Sequence, residues 1–208
     1  MIIGLTGMYC AGKNLVGSIL EKRGLAVLDV DKLGHIAIEN QKTAIFARFG
    51  ESVKNGDGSV NRQLLGKKVF GKKEELAALE GIVHPEANRL TIEWIEAENR
   101  KNCVINAAVL HGSVVFRQLD SIILVNAPLF VRLIRAKKRD KLPWVVIFKR
   151  FSSQRHFFAH YLAGNADIHR VENPGFGGRR LLTGLEEQID EILLKLGVEN
   201  SNIEQGGF

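Results

Sequence analysis

Residues 7–14 read GMYCAGKN, which departs from the pattern G-x-x-x-x-G-K-[ST] only at its last position. A loop of that pattern holds phosphate because successive backbone N–H groups point into one concavity and glycines let the anion approach the chain. Gly7 and Gly12 occupy the glycine positions, with Met8, Tyr9, Cys10 and Ala11 between them, and Lys13 follows to reach the β- and γ-phosphates of a nucleotide. Asn14 replaces the hydroxyl residue that normally gives Mg2+ an oxygen. Its amide carbonyl is also a neutral oxygen ligand, on a longer side chain, so the metal contact is either displaced or relayed through water. The bland reading is a strand-to-helix turn with chance glycines and a surface lysine. A β-branched apolar run before the loop and helical spacing after it argue against that.

Two further groups have the chemistry that phosphoryl transfer needs. In DVDKLGH, Asp29 and Asp31 alternate along a chain read as extended, so both face one side if the strand persists. One would take a substrate proton or hold a metal-bound water while the other caps a helix; the plain alternative is two capping acids. From Arg132 to Arg155 there are nine Lys or Arg residues and one acid, Asp140. A solvated helix face and a nucleic-acid surface are both open, but a lid over phosphates fits a phosphate-loop chain better, with Arg139 and Arg150 as its leading cations. The histidines say less. His84 before Pro85 is equally a ligand contact or a helix-entry residue, and His35 and His111 lie near strand ends. Cys10 sits inside the loop, with no sequence neighbour that argues for thiolate catalysis.

These residues need a scaffold. The runs IIGLT, LAVLDVD, NCVINAAVL, SIILVNAP and ADIHRVEN read as strands alternating with helices, which predicts a mostly parallel sheet covered on both faces. KNLVGSILEKRG reads as a helix that Gly24 closes, and a last helix is expected over roughly residues 180–196. Between the second and third strands lie roughly seventy residues with helical patterns near 61–70 and 85–100, too long for a simple crossover and expected to form a helical subdomain. Pro85 is expected in the first turn of the second of those helices.

The whole chain has an ordinary globular composition. Its 208 residues, 45% hydrophobic and 25% charged, suffice for one sizeable core, and a formal charge of +6 suits an anionic partner without naming one. Two cysteines far apart, Cys10 and Cys103, indicate neither a disulfide framework nor a zinc site and fit a reducing cytoplasm. No apolar run approaches the length of a membrane span, so neither a targeting signal nor a membrane partner is expected.

Taken together, IGLTGMYCAGKN, LDVDKLGH, FGESVKNGDGSVNRQLLGKKVF, LEGIVHPEA, the basic stretch from AKKRD to KRFSSQ, and NADIHRVEN resemble the dephospho-coenzyme A kinase family over most of the chain. The middle segment, with Asp57, Gly58, Asn61, Arg62 and Phe70 followed by His84 and Pro85, is more specific than the loop alone. The resemblance implies an α/β, three-layer P-loop NTPase-like parallel sheet with an inserted helical substrate domain and a helical lid. Its parts would be a nucleotide core over 1–40, 101–131 and 164–200, a substrate domain over 41–100, a lid over 132–163 and a flexible tail over 201–208. It implies transfer of the ATP γ-phosphoryl group to the ribose 3′-hydroxyl of dephospho-CoA, with Mg2+ and with small molecules rather than nucleic acid as partners.

Residue by residue, Lys13 matches the loop lysine, Asp31 the base, Arg139 the lid arginine and Asn173 a residue near the adenine, while Arg62 and His84 match the substrate side. Three positions depart from the pattern: Asn14, His35 where an arginine is usual, and NAAVLHG in place of an Asp-x-Pro-Leu-Leu-x-Glu type segment. They leave a second reading open, a non-catalytic nucleotide-binding or regulatory protein built on the same fold.

Overall fold

A computed structural model describes residues 1–99, 101–110, 113–154, 161, 166–175 and 178–198. His111 and the expected tail over 201–208 lie outside the described residues, as does part of the expected lid. Five strands form one sheet: β1 (Ile2–Gly7), β2 (Ala26–Asp29), β3 (Cys103–Asn106), β4 (Ser121–Asn126) and β5 (Asp167–Glu172), in the order β2-β3-β1-β4-β5. The β1–β3, β1–β4 and β4–β5 pairings are parallel, with Leu5 opposite Asn106 on one side and Ile123 on the other. Every residue of β1 and β3 is buried, which is why these strands read as continuous apolar runs rather than alternating ones.

Helix α1 (Lys13–Lys22) follows β1 directly and buries Val16, Ile19 and Leu20. Ile3, Leu5, Val104, Ile123 and Val125 from the strands pack into one core with that face and with Leu185, Ile189 and Leu193 of the last helix. Gly24 takes φ 85°, and α1 ends before it as expected. With β3 and β4 flanking it, the carboxyl end of β1 is where an open α/β sheet receives ligands.

The chain divides into two compact units, one of residues 1–28 and 98 onward, the other Asp29–Ala97. The second unit is helical: α2 (Val30–Asn40), α3 (Lys42–Phe49), α4 (Arg62–Val69) and α5 (Lys73–Ala97) surround Ala37, Ile45, Phe49, Val60, Leu65 and Val83. Asn61 caps α4 by accepting from the Leu64 amide at 3.0 Å, and the turn before it is closed by Asp57 accepting from the Ser59 amide at 2.9 Å.

Pro85 corrects one expectation: it lies in the interior of the 25-residue α5, not in a first turn. Without an N–H it cannot bond back to the residue 81 carbonyl, yet residue 81 is an exposed glycine. Packing holds the helix through the gap, because Val83 is in the core and Glu86 is buried against Asn40 at 2.7 Å and Arg89 at 2.8 Å.

The remaining helices belong to the first unit: α6 (Leu129–Asp140), α7 (Trp144–Ser152) and α8 (Arg179–Lys195), the last close to its expected range. Among the described residues, no helix is long and apolar enough to cross a membrane.

Candidate nucleotide site

The loop between β1 and α1 owes its shape to two glycines. A Cβ on Gly7 would lie 2.7 Å from the Val125 carbonyl oxygen, and Gly12 adopts φ 100° as the residue preceding α1. Cys10 also lies in the left-handed region, at φ 61°. The turn is closed by the Ala11 amide donating to the Met8 carbonyl at 2.9 Å, and α1 begins with Leu15 bonding to Gly12 at 3.0 Å. The first amides of a helix have no intrahelical acceptor, so the start of α1, at Lys13 and Asn14, suits an anion, with the positive end of the helix dipole behind it. Lys13 is half-buried and Asn14 exposed.

Two side chains far along the chain bond the loop carbonyls. Arg135 on α6 donates Nη1 to the carbonyls of Cys10 at 3.3 Å and Ala11 at 3.1 Å. Asn173, just past β5, is fully buried; its Nδ2 donates to the Ala11 carbonyl at 2.8 Å and its Oδ1 accepts from Arg135 Nη2 at 3.0 Å. The position expected near an adenine therefore contacts the loop backbone itself. Arg135 was not singled out by its sequence context, where it is one cation in a basic run.

The basic run divides its work. Arg132 is buried, bonds the Ala127 carbonyl at 3.0 Å and lies 5.1 Å from the Phe151 ring centroid, an architectural role like that of Arg135. Arg139 and Arg150 are exposed and approach the loop, 5.2 and 5.6 Å from the Tyr9 ring centroid. Gln154 accepts the Tyr9 amide at 2.7 Å, a loop contact that no local pattern announces. The Cys10 thiol is pushed up by burial, against a nucleophilic role.

In the helical unit, the expectation that Asp29 and Asp31 share one extended strand is corrected. β2 stops at Asp29, whose Oδ1 accepts the Asp31 amide at 3.1 Å and caps α2, so Asp31 is already helical and exposed. Of the two carboxylates, Asp29 has the capping duty. Arg62 opens α4 and, with His35, Asn55 and Asn61, lines a cavity of about 740 Å³ within this unit. His84 is exposed on α5 and does not line it.

Among the described residues, no cluster of three or more His, Cys, Asp or Glu side chains is placed to hold a metal. That is compatible with Mg2+, which keeps waters and binds through phosphates with few protein ligands, and Asn14 at the start of α1 offers a neutral oxygen of the right class. Asn106, at the end of β3 where the NAAVLHG segment begins, is buried with no partner for its Oδ1 among the described residues.

The sheet, its glycine loop and the helix that follows define a P-loop kinase fold. Residues 1–161 match the family model CoaE, dephospho-CoA kinase. The chain belongs to the dephospho-CoA kinase family. It is 31% identical to a dephospho-CoA kinase of Treponema pallidum over 95% of this chain and 96% of that protein, and 33% identical to one of Treponema denticola over 83% and 82%. A crystal structure from Thermus thermophilus matches with a TM-score of 0.75 at 31% identity, covering 94% of this chain and 97% of that one. A shikimate kinase of Bacteroides thetaiotaomicron, at 14% identity and a TM-score of 0.52 over 93% of this chain and 98% of that one, shares the fold.

Proposed function

We propose that this chain transfers the γ-phosphoryl group of ATP to the ribose 3′-hydroxyl of dephospho-CoA, giving coenzyme A and ADP. The observation that carries the reading is the braced loop: Arg135 and Asn173 bond its carbonyls just before the start of α1, where backbone amides and Lys13 would meet a phosphate. In this assignment Gly7 to Asn14 bind the phosphates, Lys13 neutralises the β- and γ-oxygens, and Arg139 meets the charge that develops as the bond to the β,γ-bridging oxygen breaks. Asp31 takes the hydroxyl proton as the new P–O bond forms. Asn173 serves the nucleotide through the loop it braces.

Arg62 and His84 are assigned to the acceptor, and the cavity that Arg62 shares with His35 supports that part of the reading. Mg2+ would be held by the phosphates and, directly or through water, by Asn14; it supplies charge neutralisation on the β- and γ-phosphates. The two free cysteines, one buried and one half-buried, are in keeping with a reducing cytoplasm as the proposed compartment.

The test is formation of coenzyme A from ATP and dephospho-CoA with and without Mg2+, alongside calorimetric titration of both substrates. Metal-dependent turnover is expected. Binding of both substrates by folded protein without turnover would replace this reading with a nucleotide-binding regulator.

A further inference from the structure

Helices α6 and α7 carry seven cations and a single acid, Asp140, at the end of α6. That carboxylate is at the centre of a contact set that phosphate binding by the loop does not by itself require. Its Oδ1 accepts from Arg139 Nε at 2.6 Å and its Oδ2 from Arg150 Nη1 at 3.0 Å, while the Tyr9 hydroxyl also donates to Oδ2. Arg150 Nη1 reaches the Tyr9 oxygen as well, at 3.1 Å, and both guanidinium groups lie against the Tyr9 ring. Phe151 packs edge-on to the same ring at 5.4 Å, and Gln154 takes the Tyr9 amide. The Asp140 side chain is only 13% exposed.

The arrangement joins Tyr9, in the phosphate loop, to two cations ten or more residues apart on different helices. Arginine side chains at exposed positions sample many rotamers, and two of them side by side repel. A carboxylate that Arg139 grips through both oxygens and Arg150 through Oδ2 removes both obstacles, and it leaves the trio with one net positive charge. The bonds to Asp140 occupy Nε and Nη2 of Arg139 and Nη1 of Arg150. N–H groups of the two guanidinium groups that these bonds do not use can then be directed at a phosphate. A carboxylate cannot itself donate to a phosphate, so its part is played through the arginines.

We propose that Asp140 is a positioning residue that sets Arg139 and Arg150 together over Tyr9, so that the triphosphate meets two oriented guanidinium groups rather than one. The proposal rests on the kinase reading above. It makes Arg150 a second phosphate-facing cation and Tyr9 the contact through which the loop and the basic helices take one arrangement.

The test compares the full chain with Asp140→Asn, Asp140→Glu, Arg150→Lys and the double variant Asp140→Asn/Arg150→Lys. Misplaced cations predict a kcat loss of about ten- to a hundredfold for Asp140→Asn, with the dephospho-CoA KM within about twofold, weaker ATP binding by calorimetry, and partial rescue in Asp140→Glu. Because Asp140 acts through Arg150, the double variant should lose little more than the worse single one. A lowered thermal midpoint with unchanged kcat would make the cluster merely structural and overturn the proposal. So would additive losses, or tighter ATP binding with kcat intact, which would mark Asp140 as a latch that nucleotide must displace. Failure of the wild type to phosphorylate dephospho-CoA would count against the kinase reading, and the ATP affinities would still decide this one.

Discussion

Replacing Asn173 by alanine should loosen a loop that lies 160 residues earlier in the chain, and the structure sets the size of the effect. Two bonds are lost. The donation from Nδ2 to the Ala11 carbonyl at 2.8 Å is a neutral pair that contributes about 0.5–1.5 kcal/mol. The acceptance by Oδ1 from Arg135 at 3.0 Å involves a charged donor and contributes about 1.5–3 kcal/mol. Arg135 Nη1 still reaches the Ala11 carbonyl at 3.1 Å, so that oxygen is not orphaned and the lower part of the summed range applies, about 2–3 kcal/mol.

How that loss divides depends on whether the loop or the whole unit relaxes. Carried entirely by folding, it lowers the thermal midpoint by roughly 4–12 °C in a chain of this size. Carried entirely by the loop, it weakens ATP binding about thirtyfold to more than a hundredfold, at tenfold per 1.4 kcal/mol. Differential scanning calorimetry and ATP titration on the same preparation measure both parts, and their sum should recover about 2–3 kcal/mol. A midpoint within about 2 °C of wild type together with unchanged ATP affinity would refute the claim that Asn173 shapes the loop.

Four further outcomes are expected. Lys13→Ala should lower kcat by about 10²- to 10³-fold while the protein remains folded by circular dichroism, as for loss of one charge-stabilising group. Asp31→Asn should lower kcat by about 10²- to 10⁴-fold if the carboxylate is the base, and a loss of only a few fold would refute that role. Asn14→Thr should retain turnover and shift its Mg2+ dependence in a metal titration, because one neutral oxygen ligand replaces another. The Glu86 carboxyl is held down at about 2, from an ordinary 4.5, by the bonds from Arg89 and then Asn40. The unfolded chain then holds that proton more tightly, so the contribution is complete above about pH 4.5 and lost as pH falls toward 2. Urea midpoints measured across that range should fall with acid, less steeply in Glu86→Gln.

Strands β1, β3 and β4 were legible because buried parallel strands are apolar on both faces, as in IIGLT and SIILVN, whereas the edge strand β5, DIHRVE, is exposed or half-buried at most positions and carries a weaker signal. Pro85 misled because its local preference is for a helix start, whereas the burial of Val83 and Glu86 on either side keeps α5 continuous. Asp29 and Asp31 were readable as chemical types but not as geometry, since the strand ends at the first of them and capping fixes the second on a helix. In the loop, Gly7, Gly12 and Lys13 carry a local signature. Arg135, Gln154 and Asn173 reach it from sequence separations of 124, 145 and 162; Asn173 was expected at the nucleotide only through the family resemblance, and neither Arg135 nor Gln154 is marked by its own neighbourhood.

The contact between Asn173 and Ala11 also bears on the order in which the chain is made. The glycine loop leaves the ribosome well before the side chain that holds its carbonyl, which arrives only after β5, the edge strand beside β4. Until that strand has been synthesised and has docked, a nascent chain has the signature of a nucleotide site without its finished shape. Nucleotide binding during translation should therefore begin late, as the final strand joins the sheet rather than when the loop emerges.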